Sequence, residues 1–479
     1  MRKSLIITIL LLIVCIWGVT SAHVAVNAKK DAVTLDETVL FGDKSEVENL
    51  IVNTNIHCNN RLFWDTEYIV GELPQIRTDF HFYQSERHSR SSEREYYGVQ
   101  LDIHTNFGIS SSRGIELEDF RQIENFGGME KILKDVASRT LAGSTNTENV
   151  LLSDYYDFYP LLVTLDIPAY WEEDIDGTLS VQQASIDPDS FISRKIADYF
   201  RIPVIENHRL EISITKNDIG DITNLNVRTL DDNGPSIWTN SVITENACYF
   251  IFNNRTWKDE IMDTSYIPGG YGVYCLPFTY DPEKDQNFVS ADTLSTVYAL
   301  DEETEIVSIT KSEDGNKLLL ITREKGAYWL TVLDASSAEE LQKIHVTDCI
   351  EEDYIWNTFY YDDFLVVCSA GYRFSVIEVN ETGEYERVFT GDELVAQDLG
   401  MPTSYNSVMC WDGEKLAVAT YKSDAFRDIS CGFWLSVYDE TGPLYIGRYD
   451  SSLDLNSNVE YSYRCRPIDS DNLYLSWGS

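Results

Sequence analysis

The sequence predicts a mainly β protein of stacked four-stranded sheets with a mixed α/β insertion, preceded by an apolar N-terminal helix. Three observations predict this fold class. Short runs of alternating or β-branched residues, bounded by polar turns, recur along most of the chain. A strand pattern repeats at a period of about fifty residues in the second half. Helical periodicity is confined to the N-terminus and to one internal stretch between residues 116 and 201.

The first 28 residues predict export. Arg2 and Lys3 form a short basic start, and an apolar run extends from Leu5 to Val19, which is the layout of a secretory signal. No Asp, Glu, Lys or Arg follows until after Ala28, so the uncharged stretch also reaches the ~20 residues that span a bilayer. Cleavage as a signal peptide and retention as a membrane anchor both stay open. In either case we expect the remainder to lie outside the cytoplasm, secreted or held at the membrane by its N-terminus.

The charge balance disfavours two classes of partner, nucleic acids and anionic lipid surfaces. The chain has 79 acidic and 37 basic residues and a net charge of −42. Affinity for nucleic acid is built from Lys and Arg that displace counterions, and anionic lipid surfaces attract the same cations, so neither is an expected ligand. An acidic surface keeps an exported protein soluble, and it also suits a cationic partner. The sequence leaves both explanations open.

The cysteines do not predict a metal or dithiol site. None of the eight after the export segment is spaced CxxC, the close pairing that both kinds of site use. Several lie in apolar runs, as Cys368 and Cys410 do, which favours buried thiols that act as small core residues. Disulfides are compatible with an exported chain, although a chain of this size does not need them to fold.

The exported part begins with strands. The run Leu50–Val70 predicts a hairpin that turns at Asn59–Asn60, and two more strands are predicted at Thr78–Tyr83 and Tyr96–Thr105. We expect these four consecutive strands to form one sheet.

A mixed α/β segment follows. Helices are predicted at Met129–Leu141 and Ile192–Phe200, on either side of a strand at Tyr159–Pro168. A further hairpin is predicted from His208 to Leu230, because two alternating runs are joined by polar turn residues around Gly220.

A degenerate repeat occupies the second half. Its first strand reads KLLLIT from Lys317, DFLVVCS from Asp363, KLAVAT from Lys415 and NLYLSW from Asn472, in steps of 46, 52 and 57 residues. In the first three copies a second strand starts at Tyr328, Phe374 and Phe433, and a polar turn and a third strand come after it. The run from Asn246 to Asp281 fits an earlier, less regular copy.

These repeats resemble the blades of β-propeller proteins of the WD40 or quinoprotein-like type. One four-stranded blade cannot cover both of its faces, so blades stack around an axis. The strands carry neither the Trp-Asp nor the Gly-His signature of WD40 repeats, so no subfamily is implied. The resemblance implies that N-terminal strands complete the last copy, with the hairpin Leu50–Val70 as the candidate. Stacking of the same strands as β-sandwiches stays an alternative.

The predicted organisation therefore has four segments. Residues 1–28 are the signal peptide or anchor, 40–115 an N-terminal β-hairpin unit, 116–235 the mixed α/β region and 236–479 the propeller-like repeats.

One local pattern suggests a cation site. Asp174 and Asp176 lie two residues apart before Gly177, an alternation of oxygen ligands before a tight turn that Ca²⁺ loops use. Glu172 and Gln183 occupy positions where Asp and a bidentate Glu are typical, so a plain acidic turn is the alternative. No cofactor besides calcium is suggested.

A second pattern suggests a glycan site. Aromatic and acidic residues interleave from Asp353 to Phe364, and Trp356, Tyr360 and Tyr361 are the candidate ligand-binding residues. Aromatic rings stack on the C–H faces of sugars while carboxylates accept hydroxyl hydrogen bonds. Aromatic residues that cover the edges of blades are the alternative.

The function class follows from these patterns. No HExxH, GxSxG, P-loop or GxGxxG motif stands in a suitable strand and helix context, so no catalytic residue is predicted. The sequence favours a non-enzymatic extracytoplasmic binding or scaffold protein whose partner is a protein or carbohydrate of the cell envelope. The alternative is a secreted propeller-fold glycan hydrolase or lyase, which needs two carboxylates about 5–10 Å apart.

Overall fold

The computed structural model of the chain describes the following residues, to which all structural statements refer: 2–27, 34–58, 62–71, 76–81, 97–102, 107–115, 129–171, 191–230, 234–283, 285–349, 355–361, 363–369, 373–401, 407–421, 432–451, 465–466 and 474–478.

The helices are α1 (Arg2–Asn27), α2 (Glu130–Arg139), α3 (Phe191–Tyr199) and α4 (Leu394–Asp398). The first strands are β1 (Leu35–Gly42), β2 (Leu50–Cys58), β3 (Leu62–Ile69), β4 (Ile76–His81), β5 (Gly98–Asp102), β6 (Phe107–Ile115), β7 (Thr145–Leu151), β8 (Leu162–Asp166), β9 (Tyr170–Trp171), β10 (Arg209–Lys216) and β11 (Ile222–Thr229). The middle strands are β12 (Thr239–Ile243), β13 (Ala247–Phe252), β14 (Gly272–Pro277), β15 (Thr279–Asp281), β16 (Gln286–Val289), β17 (Ser295–Ala299), β18 (Glu305–Lys311), β19 (Lys317–Glu324), β20 (Ala327–Asp334) and β21 (Glu340–Asp348). The last strands are β22 (Ile355–Tyr360), β23 (Phe364–Ser369), β24 (Arg373–Val379), β25 (Tyr385–Asp392), β26 (Ser407–Trp411), β27 (Leu416–Tyr421), β28 (Gly432–Asp439), β29 (Gly442–Ser451), β30 (Cys465–Arg466) and β31 (Tyr474–Trp477).

The chain divides into two compact units. One unit joins Met1–Glu93 to Glu351–Ser479, and the other is Arg94–Ile350. By their order in the sequence alone, they are called the outer unit and the inner unit. Both are mainly β and are built from small, largely antiparallel sheets. This division groups segments by their packing, and the four segments predicted from the sequence stay a prediction.

The predicted repeat is confirmed strand by strand. Its first strands are β19, β23, β27 and β31, and the second and third strands of the first three copies are β20–β21, β24–β25 and β28–β29. The structure adds one more strand before each of these three copies. The resulting antiparallel sheets run β18-β19-β20-β21, β22-β23-β24-β25 and β26-β27-β28-β29.

The sheets of the outer unit stack face to face. Leu416 and Val418 of β27 belong to one core cluster with Val366 of the preceding sheet. Ala417 and Ala419 point the other way, into a second cluster with Val52 of β2. Side chains alternate between the two faces of a strand, so a strand with apolar residues at every position is buried on both faces. This burial explains the unbroken apolar run in KLAVAT.

The strand β31 completes the N-terminal sheet, as predicted. It pairs antiparallel with β2, with Leu50 opposite Trp477, and the hairpin β2–β3 continues into β4 on the other side. The short strand β30 pairs with the far end of β2. The prediction that β5 is the fourth strand of this sheet is wrong, because β5 pairs with β8 in the inner unit. The sheet is instead extended on the β2 side, by β30 and β31.

The strand β1 adds a fifth strand to the sheet β26–β29. It pairs antiparallel with β29 through seven residue pairs. Its Glu37 carboxylate is buried, where Oε1 accepts hydrogen bonds from the hydroxyls of Tyr445 at 3.1 Å and Tyr449 at 3.0 Å. Oε2 of Glu37 pairs with the ammonium of Lys44. A buried carboxylate needs such partners because its desolvation is costly, so this network fixes β1 at one register.

The inner unit combines four antiparallel sheets with two helices. The blade-like sheets are β12-β13-β14-β17 and β18-β19-β20-β21, and the others are β6-β11-β10-β7 and β5-β8. A small sheet, β15-β16-β9, includes one parallel pair. The predicted helices are confirmed as α2 and α3. The apolar face of α2, including Ile132 and Val136, is fully buried in the same core cluster as Ile212 of β10.

The N-terminal helix α1 is apolar, and its described side chains, Leu11 to Val24, are exposed. Among the helices of the described residues, none has the length and apolar character that a membrane crossing requires. Export of the chain therefore stays a prediction.

Candidate functional site

A polar cleft opens at one end of two neighbouring sheets of the inner unit. Its cavity of about 390 Å³ is formed by three hairpin turns. The β12–β13 turn contributes residues 244–246, the β18–β19 turn residues 313–316, and the β20–β21 turn residues 334–336. Turns at the ends of a packed sheet leave side chains free for binding while the strands hold their backbone.

The lining of the cleft is acidic. Four carboxylates, those of Glu245, Glu313, Asp314 and Asp334, face one ammonium group, that of Lys311. The Lys311 Nζ donates a hydrogen bond to the backbone carbonyl of Ile243 at 2.6 Å. This bond holds the single cation at the wall, and the carboxylates give the cleft a negative potential.

Local hydrogen bonds fix the carboxylate of Asp314. Its Oδ1 accepts from the Ser312 hydroxyl at 2.6 Å and from the backbone N–H of Asn316 at 3.0 Å. These bonds favour the charged form, and they lower the pKa of Asp314, with the Ser312 hydroxyl the largest cause. Asp314 is therefore ionised at neutral pH.

The carboxylate of Asp334 is held in the same way. Its Oδ1 accepts from the Ser336 hydroxyl at 2.6 Å and from the backbone N–H groups of Ser336 and Ser337, both at 2.9 Å. The Ser336 hydroxyl is the largest cause that lowers the pKa of Asp334 to about 2. The turn thus presents a fixed negative charge over the whole physiological pH range.

Hydrogen bonds to and between the surrounding strands hold the turns of the cleft in place. The Tyr249 hydroxyl donates to the backbone carbonyl of Ala335, and Ala335 N–H donates to the carbonyl of Asn316 at 2.9 Å. The side chain of Asn240 accepts from the Ile309 N–H at 2.8 Å and so ties β12 to β18. These bonds join all three turns into one framework.

Replacing Asp334 with alanine is expected to destabilise the inner unit by about 1 kcal/mol, because the Ser336 and Ser337 N–H groups lose their acceptor. Asp334→Asn keeps an acceptor oxygen and should cost less than about 0.5 kcal/mol. Because the folded pKa is depressed, the charged contribution is present above about pH 4 and is lost as the pH falls toward 2. Urea unfolding of both variants at pH 7 and pH 3 tests this, and equal losses for both would contradict it.

The predicted glycan residues lie in the outer unit. Tyr361 stacks on Phe364, with ring centroids 4.4 Å apart, and its hydroxyl accepts from the Met409 N–H at 2.8 Å. Burial raises the pKa of Tyr361 to about 12. Tyr360 is half-buried at the end of β22, and the side chain of Trp356 lies outside the described part of the chain. One ring face of Tyr361 is thus already covered, and the glycan assignment stays a prediction.

The predicted calcium residues, Asp174 and Asp176, lie outside the described residues. Within the part of the chain that the structure describes, no group of three or more His, Cys, Asp or Glu side chains is arranged to hold a metal ion.

Sequence reasoning missed the cleft. Two of its segments, KSEDGNK and DASSAEE, are rich in Asp, Ser, Asn and Gly, which are typical of turns. Taken alone, each segment therefore predicts a turn and not a binding site. The available signal was the recurrence of acids in turns of successive repeats. Only the packing of the β12 and β18 sheets shows that these turns share one end.

Comparison with known proteins gives no family. No family model and no curated protein matches the sequence. Solved structures that resemble it include a putative 6-phosphogluconolactonase from Bacteroides fragilis NCTC 9343. The two sequences are 10% identical, and the match covers 94% of this chain and 99% of that chain with a TM-score of 0.28. Another is the β-propeller domain of the trilobed protease from Pyrococcus furiosus, which is 11% identical. That match covers 42% of this chain and 53% of that chain with a TM-score of 0.21.

A third is the Cps50 (Swd1) β-propeller domain from Myceliophteria thermophila, at 11% identity, 49% of this chain, 78% of that chain and a TM-score of 0.21. The chain spans about half the length of the Pyrococcus furiosus domain that it matches. Structural neighbours of the chain thus include β-propeller domains, and at these TM-scores no subfamily or activity follows.

Proposed function

We propose that the chain is an extracytoplasmic, non-enzymatic binding protein with propeller-like blades, and that its acidic cleft takes a basic segment of a protein partner at the cell envelope. The observation that carries the proposal is the lining of the cleft, four carboxylates to one lysine in about 390 Å³.

The blade-like sheets support the architectural part. Three consecutive copies of the repeat form four-stranded antiparallel sheets, and a strand from the end of the sequence completes the N-terminal sheet. Propellers of the WD40 or quinoprotein-like type close their ring with strands from both ends in this way.

The electrostatics supports the choice of partner. Asp314 and Asp334 have lowered pKa values, so they stay charged when a ligand approaches. The cavity volume lies within the usual range for ligand sites, about 300–1,000 Å³, and one or two Lys or Arg side chains would fit in it. Complementary charge raises the association rate and excludes acidic competitors.

Neutralising the cleft should weaken binding of a basic peptide. With fluorescent hexalysine as the probe, we expect the triple variant Glu245→Gln, Glu313→Gln and Asp314→Asn to raise Kd about tenfold, since exposed ion pairs contribute roughly 0.2–1 kcal/mol each. Binding to the unchanged chain should weaken with salt, because added ions shorten the distance over which exposed charges attract one another, which is about 8 Å at physiological ionic strength. Fluorescence anisotropy measures both effects.

The matched control removes three exposed charges from other turns of the same unit: Glu206→Gln, Asp218→Asn and Glu260→Gln. Its Kd should stay within about twofold of the unchanged chain. Equal losses in both variants would show general attraction to an acidic protein and would overturn the cleft assignment. Turnover of a neutral oligosaccharide by the unchanged chain would instead favour the glycan hydrolase or lyase.

A further inference from the structure

Two cysteines distant in sequence occupy opposite backbone positions on neighbouring strands of the N-terminal sheet. Cys58 ends β2, and in the antiparallel pairing of β2 with β30 it stands directly opposite Cys465. The neighbouring pair, His57 opposite Arg466, sets the same register. Among the paired strands that the structure describes, this is the one position at which the backbone register places cysteine opposite cysteine.

The backbone geometry of this position suits a disulfide. Residues directly opposite one another in antiparallel strands have Cα atoms about 4.5 or 5.5 Å apart, depending on whether the pair is hydrogen-bonded. Disulfides span Cα separations of about 4.4–6.8 Å. The register alone therefore brings the two residues to bridging distance.

No other described cysteine in a strand stands opposite another cysteine. Cys248 faces Leu276, Cys275 faces Tyr249, and Cys410 faces Ala417. Cys368 lies between Asn357 and Phe374. All four are buried thiols, which confirms the prediction for them. Burial disfavours the thiolate at Cys248 and Cys275, because it raises the pKa of Cys248 to about 12 and that of Cys275 to about 11.

We propose that Cys58 and Cys465 form a disulfide once the chain is in an oxidising compartment. The proposal rests on the extracytoplasmic location within the proposed function, and it is independent of the cleft. In the reaction, the two thiols give up two protons and two electrons to an external disulfide oxidant. The Cys58–Cys465 S–S bond forms, the S–S bond of the oxidant breaks, and two oxidant thiols are released.

The bond would act on the shortest pairing of this sheet, which has two residue pairs. The strand β30 has two residues, Cys465 and Arg466, so its ladder adds little stability by itself. A covalent bond between residues 58 and 465 closes a long loop of chain, and long loops lose the most conformational freedom in the unfolded state. The disulfide would fasten the segment before β31 to the hairpin that β31 completes.

Peptide mapping tests the proposal on the unaltered full chain. The purified protein is equilibrated with oxidised and reduced glutathione at an oxidising ratio, free thiols are blocked under denaturing conditions, and the protein is digested without reduction. We expect a linked peptide pair that contains Cys58 and Cys465, and at most seven of the nine cysteines blocked. Reduction should separate the pair and make all nine reactive. Recovery of Cys58 and Cys465 as blocked thiols, or linked to other cysteines, would overturn the proposal.

Variants give an independent arm. Cys58→Ser and Cys465→Ser should each abolish the linked peptide, whereas Cys349→Ser, a half-buried cysteine of the inner unit, should leave it unchanged. The peptide map of the unaltered chain needs no variant, so it stays decisive even if one of the variants fails to fold. Because the oxidant is added to purified protein, failure here would count against the disulfide, whereas failure of hexalysine binding would count against the cleft alone.

Discussion

Replacing Phe200 with alanine is expected to lower the free energy of unfolding of the inner unit by about 3–5 kcal/mol. Phe200 follows α3 and is fully buried, with 0% of its surface exposed. Its ring centroid lies 4.7 Å from that of Tyr274 and 5.7 Å from that of Phe252, both nearly perpendicular to it. Edge-to-face pairs add about 0.5–1.5 kcal/mol to the free energy of burial. The substitution therefore opens a cavity where the helix meets β13 and β14.

Urea unfolding followed by tryptophan fluorescence and by near-ultraviolet circular dichroism measures this loss. Phe200→Leu leaves a smaller cavity and should cost about 1–2 kcal/mol. Ile219→Ala, at a position 82% exposed in the β10–β11 turn, should change stability by less than about 0.5 kcal/mol. A cost below about 1 kcal/mol for Phe200→Ala would contradict the packing of α3 on these strands.

The repeats could be predicted from the sequence because the burial of their strands produces a recognisable local pattern of apolar residues. Strands buried on both faces, such as β23 with all six residues buried, read as short continuous apolar runs between polar turns. The pairing of β31 with the N-terminal hairpin was also predictable. The last copy of the repeat contains a single strand, and that strand needs partners from another part of the chain. The helices α2 and α3 follow from periodicity, which is equally local.

Pairing between distant segments could not be predicted in the same way. The pattern of β5 indicates a strand but carries no information on which edge is free, so its pairing with β8 was missed. The pairing of β1 with β29 depends on Glu37 meeting Tyr445 and Tyr449, more than 400 residues away. The acidic cleft and the opposed cysteines could not be predicted for a similar reason. The cleft arises from the packing of two sheets and the cysteine pair from the register of distant strands, and neither is recorded in the local sequence.

High pH is expected to unfold both units steeply. Burial is the main cause that raises the pKa of eleven described tyrosines, five in the outer unit and six in the inner unit. They are Tyr68, Tyr361, Tyr438, Tyr445 and Tyr449 in the outer unit, and Tyr156, Tyr159, Tyr249, Tyr271, Tyr274 and Tyr298 in the inner unit. In the outer unit the Glu37 carboxylate adds to the effect at Tyr449, since a nearby negative charge disfavours a phenolate.

The sign follows from proton binding. An unfolded tyrosine ionises near pH 10, whereas these buried phenols stay protonated above that value, so above pH 10 the folded state binds more protons than the unfolded state. Stability is therefore unaffected by these groups below about pH 9 and falls as the pH rises further. Each group contributes about 1.4 kcal/mol per pH unit, so the five in the outer unit give a slope of about 7 kcal/mol per pH unit. That slope would exhaust a typical stability of about 5–15 kcal/mol within two pH units.

Phenolate absorbance and near-ultraviolet circular dichroism, recorded together from pH 8 to pH 13, measure the transition. We expect phenolate from the buried residues to appear together with the loss of tertiary signal, not before it. Tyr68→Phe is the matched variant, because among the described residues the Tyr68 hydroxyl has no hydrogen-bond partner. At pH 7 its loss should be neutral or stabilising by up to about 1 kcal/mol, and above pH 10 it should reduce the slope for the outer unit by about one fifth. Complete phenolate formation in a protein that keeps its tertiary signal would show that these tyrosines are accessible to solvent, and it would contradict the packing of the sheets in both units.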